Sequence, residues 1–145
     1  MNTALVAPSP THSLLYHPKL HAVVLRWLVF PCTLPEVRAS FKAALALARR
    51  ENCARWIIDT RHARPVDLEL MHWLTREFFP LAAARLAPQL LRLAVISDAT
   101  RLAQFRVDAV LAHAVADALA AAHPYQARIF ADEGTAVVWL LAQPA

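Results

Sequence analysis

Four short runs of apolar residues constrain this chain more than anything else in it. They read HAVVLRWLVF (21–30), ARWIID (54–59), LRLAVIS (91–97) and YQARIF (125–130). Their β-branched and aromatic residues suit strands. Their near-continuous apolar character suits strands covered on both faces, as in a parallel sheet. A shorter run, Leu14 to Tyr16, precedes the first, and HPKL between them can turn the chain. These two segments predict a hairpin.

Helical periodicity fills the intervals. Thr33-Leu34-Pro35-Glu36 has the form of a capping box, with proline in the first turn where its missing amide proton costs nothing. Val37, Phe41, Ala44, Leu45 and Ala48 then recur at three- and four-residue spacing. A second helix is expected from about Asp67, with Leu70, Trp73, Leu74, Glu77 and Phe78 on one face; Pro80 kinks or restarts it and Pro88 ends it. DATRLAQ (98–104) reads as a loop. A third helix is expected from Phe105 to Ala122, with Val107, Val110, Leu111, Ala114, Ala118 and Leu119 inward. Asp132 caps a final short helix presenting Ala136, Val137 and Leu140, with Trp139 beside them.

The order β-β-α-β-α-β-α-β-α predicts an α/β domain with a mixed, mostly parallel sheet and helices packed on it. The 145 residues suit one domain, expected over 13–145 after a flexible lead-in of residues 1–12. Hydrophobic residues make up 58% of the chain, more than a soluble monomer of this size needs. Alanine-rich helices account for part of the surplus and a subunit interface for the rest, so a homodimer is expected. The most apolar region, Leu81 to Ile96, is broken by Arg85, Pro88 and Arg92, and no run approaches the roughly 20 apolar residues of a membrane span. No basic stretch followed by an apolar core opens the chain, so a cytoplasmic protein is expected, with Cys32 and Cys53 as reduced thiols.

Gly134 is the one glycine. A dinucleotide fingerprint or a P-loop needs several at a strand-to-helix turn, so both are excluded. The net charge is +4, but the basic residues are scattered and no basic stripe alternates with aromatics. Neither nucleic-acid binding nor membrane insertion is expected.

With that order in view, WIIDTRHARP (56–65), the Trp-bearing segment LELMHWLTREFFPLAAARLAPQLLRLAVIS (68–97) and the tail ARIFADEGTAVVWL (127–140) make the chain resemble the STAS-like (SpoIIAA-like) family. These are small domains related to anti-sigma-factor antagonists and to the cytoplasmic tails of sulfate transporters. The likeness spans about residues 13 to 142. It implies the STAS-like fold and a regulatory, protein-binding role. The family's antagonist members switch by phosphorylation of a serine at the start of the second helix. Here Arg64-Pro65-Val66-Asp67-Leu68 stands there, with no hydroxyl; Thr60 lies several residues too early.

The candidate site lies at the carboxyl ends of the central strands, where open α/β sheets bind ligands. Asp59, Thr60, Arg61, His62 and Arg64 follow one strand; Ser97 and Asp98, with Thr100 and Arg101, follow the next. They form either an anion or small-ligand crevice, a partner-docking rim, or a polar turn whose aspartates accept loop amides. A mixed face of His72, Trp73, Arg76 and Phe79 is the candidate protein interface. Trp27, Trp56, Trp73 and Trp139 are expected in core or interface packing. A hydrolase would pair Cys32 or Ser97 with His62 and Asp59, which requires hydrogen-bond reach. The histidines, among them His12, His17 and His21 near the hairpin, show no metal-ligand spacing on one helix face. No catalytic residue, metal or cofactor is expected. The first expectation is therefore a non-catalytic regulatory or protein-interaction module, with a binder of an anionic or lipid-like small ligand as the alternative.

Overall fold

The computed structural model describes residues 4–5, 12–27, 33–62 and 68–142. Its sheet runs in the order β1 (Ala4–Leu5), β2 (His12–His17), β3 (Ala22–Trp27), β4 (Arg55–Asp59), β5 (Leu91–Ile96) and β6 (Tyr125–Phe130). The first two pairings are antiparallel and the other three parallel. The chain is thus α/β with a mixed, mostly parallel sheet, as the alternating pattern implies. Ala4 and Leu5 pair with β2 and His12 opens it, so the sheet reaches into the expected lead-in.

The hairpin of β2 and β3 turns through His21, whose amide donates to the Pro18 carbonyl (3.2 Å). The turn needs a left-handed residue, and His21 takes φ 49°. Helix α1 (Leu34–Glu51) starts on the capping box: the Glu36 amide donates to Thr33 Oγ1 (3.3 Å) and the Thr33 amide to Glu36 Oε1 (2.8 Å). The end of the first apolar run, residues 28–30, lies outside the described residues, as do Cys32, Arg64 and Asp67. Cys53 is a buried free thiol that donates to the His21 carbonyl (3.1 Å).

The second helical segment has three parts. Helix α2 (Leu68–Trp73) widens into a π-type turn (Leu74–Phe78), and α3 (Phe79–Leu86) follows. Pro80 explains the restart: it has no amide proton, and its ring displaces the carbonyl four residues back. The Phe79 amide reaches the Leu74 carbonyl instead, the five-residue loop of a π turn.

DATRLAQ is not a loop. Asp98 accepts the Arg101 amide (2.7 Å) and caps α4 (Ala99–Val107). The single expected helix over 105–122 is divided at Asp108, which is extended, accepts the Leu111 amide (3.0 Å) and starts α5 (Ala109–Ala118). An aspartate that can cap a new helix competes with continuing the old one. Val107 and Val110 flank this break and stand 85% and 62% exposed, not in the core. Helix α6 (Glu133–Ala142) is capped by Asp132, which accepts the Thr135 amide (2.8 Å), and it buries Ala136 and Leu140 as expected.

Strand alternation separates two cores. On one face Val23, Leu25, Trp27, Trp56, Ile58, Leu91, Leu93 and Tyr125 pack against α1, α2, the π turn and α3. Phe41 sits among Trp27, Trp73, Phe78 and Phe79, with ring centroids 5.3–6.2 Å apart. On the other face Ala22, Val24, Ile57, Ala94 and Ile96 meet α6. The helices linking the parallel strands share one face, as crossovers of a single hand must when neighbouring strands follow in sequence.

Candidate functional site

Helices α4 and α5 link β5 to β6. They pack on each other, and α5 on α2 and the π turn, and α4 contributes no buried residue. The space left beneath them is a cavity of about 110 Å³. Trp27, Ile58, Val95, Ala127 and Ile129 form its floor, on the face of the sheet that α1 covers. Val37 and Phe41 of α1 and Leu70, Met71, Leu74 and Phe79 of the second helical segment form one wall. Phe105, Val115, Ala118 and Leu119 form the other.

Among the described residues three polar side chains line it: Thr60, Ser97 and Arg101. Thr60 and Ser97 follow β4 and β5, so the polar end sits at the carboxyl edge of the central strands, where the candidate site was expected. The Thr60 hydroxyl donates to the Ile96 carbonyl (2.7 Å). Ser97 is 1% exposed, and its Oγ has no hydrogen-bond partner among the described residues. Its amide donates to the Phe130 carbonyl (2.9 Å), which fixes the backbone. Buried hydroxyls are almost always paired, and an orphan costs about 1–3 kcal/mol.

The remaining candidates separate from this site. Asp59 lies one residue before Thr60 and therefore points to the opposite face. Its carboxylate accepts from Arg61 Nε (3.0 Å), Arg61 Nη2 (2.7 Å), the Arg61 amide (3.1 Å) and Arg26 Nη1 (2.9 Å). Arg26 also pairs with Glu133 at the start of α6 (2.6 Å). Burial would raise the Asp59 pKa, but the bonds from Arg61 and Arg26 outweigh it and hold the carboxyl below its ordinary 3.8. Arg61 is thereby paired with Asp59. His62 is exposed and makes no hydrogen bond among the described residues, so no base is joined to Asp59 or Ser97. Arg64 lies outside the described residues. Asp98 serves α4 as its cap and does not line the cavity.

The expected interface face also divides. Phe79 is 7% exposed and packs in the aromatic cluster, so it belongs to the core. Trp73 stacks on Phe78 (5.0 Å) with the Arg38 guanidinium over its ring (5.4 Å). His72 and Arg76 remain exposed. Trp27 and Trp56 are buried, and Trp139 packs on Phe130.

Phe105, Val115 and Leu119 were not legible as site residues. A capping signal at Asp98 marks α4 in the sequence, but nothing marks the gap beneath it. Among the described residues no three His, Cys, Asp or Glu side chains stand together as metal ligands, and no helix is long and apolar enough to cross a membrane. No protein-family model, curated protein or solved structure matches the chain.

Proposed function

We propose that this α/β domain binds a small, largely apolar molecule in the cavity between the sheet and α4–α5. One observation carries the reading: a cavity with apolar walls holds, at one end, the unpartnered Oγ of the buried Ser97. A docking module needs an exposed patch and no such space. A cavity of about 110 Å³ has the scale of one that accepts benzene, roughly 150 Å³. The reading invokes no chemical step: among the described residues Ser97 has no base bonded to it, and Asp59 is paired with two arginines.

The test is a thermal shift with hexan-1-ol. Binding to the folded state alone raises the midpoint with ligand concentration. The wild type is expected to respond, and Ala127→Leu, which fills the floor, is expected not to. No response of the wild type to hexan-1-ol or benzene at any concentration would overturn the reading.

A second reading is a homodimeric, STAS-like regulatory module. It is favoured by the apolar side chains left on the surface of α4–α5 and α6: Val107, Val110, Val138 (69% exposed) and Leu141 (49% exposed). Sedimentation velocity tests it. A dimer that Val110→Asp dissociates supports it; a monomer at every concentration removes it.

A further inference from the structure

We infer that the occupant of this cavity is a small uncharged aliphatic alcohol, its tail against the apolar walls and its hydroxyl bridging Ser97 and Thr60; the inference rests on the ligand-binding reading above. The two side chains are neighbours across the sheet. The register that pairs Asp59 with Ile96 puts Thr60 and Ser97 next to each other past the carboxyl ends of β4 and β5. Both line the cavity. The Thr60 amide and hydroxyl each donate to the Ile96 carbonyl, at 2.9 and 2.7 Å. Thr60 Oγ1 is left as an acceptor with no proton to give. Ser97 Oγ is its complement: among the described residues its proton has no acceptor, and the residue is 1% exposed. No bond joins the two hydroxyls.

A hydroxyl placed between them accepts from Ser97 and donates to Thr60. A ketone or an ether accepts from Ser97 and offers Thr60 nothing. A purely apolar molecule leaves the buried Ser97 hydroxyl without a partner. A charged head meets no uncommitted counter-charge. Arg101, which also lines the cavity, is already engaged. Asp98, the acid beside Ser97, caps α4 and accepts the Arg101 amide (2.7 Å). Asp59 is paired with Arg26 and Arg61 on the other face of the sheet. Moving a carboxylate or an ammonium group from water to apolar walls then costs far more than moving a hydroxyl that finds both its bonds.

The probes are hexan-1-ol, its isomer 1-methoxypentane, hexanoate, hexylamine and benzene. The first two share one formula and differ in the O–H. Titration calorimetry at neutral pH is expected to give hexan-1-ol an affinity roughly fivefold above 1-methoxypentane, the yield of one neutral hydrogen bond, with hexanoate and hexylamine weaker than both. Thr60→Val keeps the shape and removes the acceptor, and is expected to bring the alcohol-to-ether ratio close to one. Ser97→Ala is expected to lower the ratio of hexan-1-ol to benzene affinity about tenfold. It removes a hydroxyl with no bond to lose, so it keeps the fold and decides the question if Thr60→Val does not fold. Equal affinity for the alcohol and the ether, tighter binding of hexanoate or hexylamine than of hexan-1-ol, or an alcohol-to-benzene ratio unmoved by Ser97→Ala would overturn the alcohol inference and leave the ligand-binding reading standing. Failure of all five probes to bind the wild type would overturn both.

Discussion

Adjacent residues at the end of β4 have opposite roles. Thr60 faces the cavity, while Asp59 faces α6 and ties Arg61, Arg26 and, through Arg26, Glu133 into one cluster. Asp59 is 5% exposed and its partners are about one-third exposed, so solvent screens part of the attraction. Asp59→Asn is expected to cost about 2 kcal/mol at neutral pH by urea denaturation. The folded-state pKa lies below the ordinary 3.8, so this contribution is fully present above that value. It is lost as pH falls through the lower folded value, where the carboxyl protonates. The gap between wild type and Asp59→Asn should therefore close in strong acid; a gap that persists there would refute the electrostatic account. Read in sequence, Asp59, Thr60 and Arg61 look like one polar cluster. The two-residue period of a strand divides them.

Helices show the same split between local and distant causes. The capping box of α1, the cap of α6 and the restart at Pro80 follow from neighbours in sequence, and each is found where the residues indicate. The division at Asp108 is also local, yet Val107, Val110, Leu111 and Ala114 hide it by continuing an apolar pattern across it. Exposure of Val107 and Val110 reflects where α4 and α5 lie, which the pattern does not encode. Helix α4 has no buried residue. Its amides are expected to exchange with solvent faster than those of α1, which buries seven residues, including Phe41. Hydrogen exchange followed by mass spectrometry should show this ordering, and a cavity ligand should slow α4 selectively. Protection in α4 equal to that in α1, without ligand, would contradict the loose packing described here.

At the scale of the whole molecule, the two cores share every parallel strand. Val23 and Leu25 face one core and Ala22 and Val24 the other, and the same alternation holds in β4 and β5. Neither core can lose its strands without the other, so unfolding in urea is expected to be one transition. Tryptophan fluorescence and far-ultraviolet circular dichroism should give the same midpoint; separated midpoints would mean that α6 and its face unfold alone. Tyr125 closes the edge of the larger core. Burial pushes its phenol up to about 12, and it donates to the Ala118 carbonyl at the end of α5 (3.0 Å). Composition and periodicity alone determined the α/β class, the parallel strands, most helix starts and the edge of the sheet where a site would lie. They could do so because strand burial, helix phase and capping depend on residues within a few positions of one another. The cavity and the isolation of Ser97 were decided only by tertiary structure. Each depends on contacts between segments far apart in the chain.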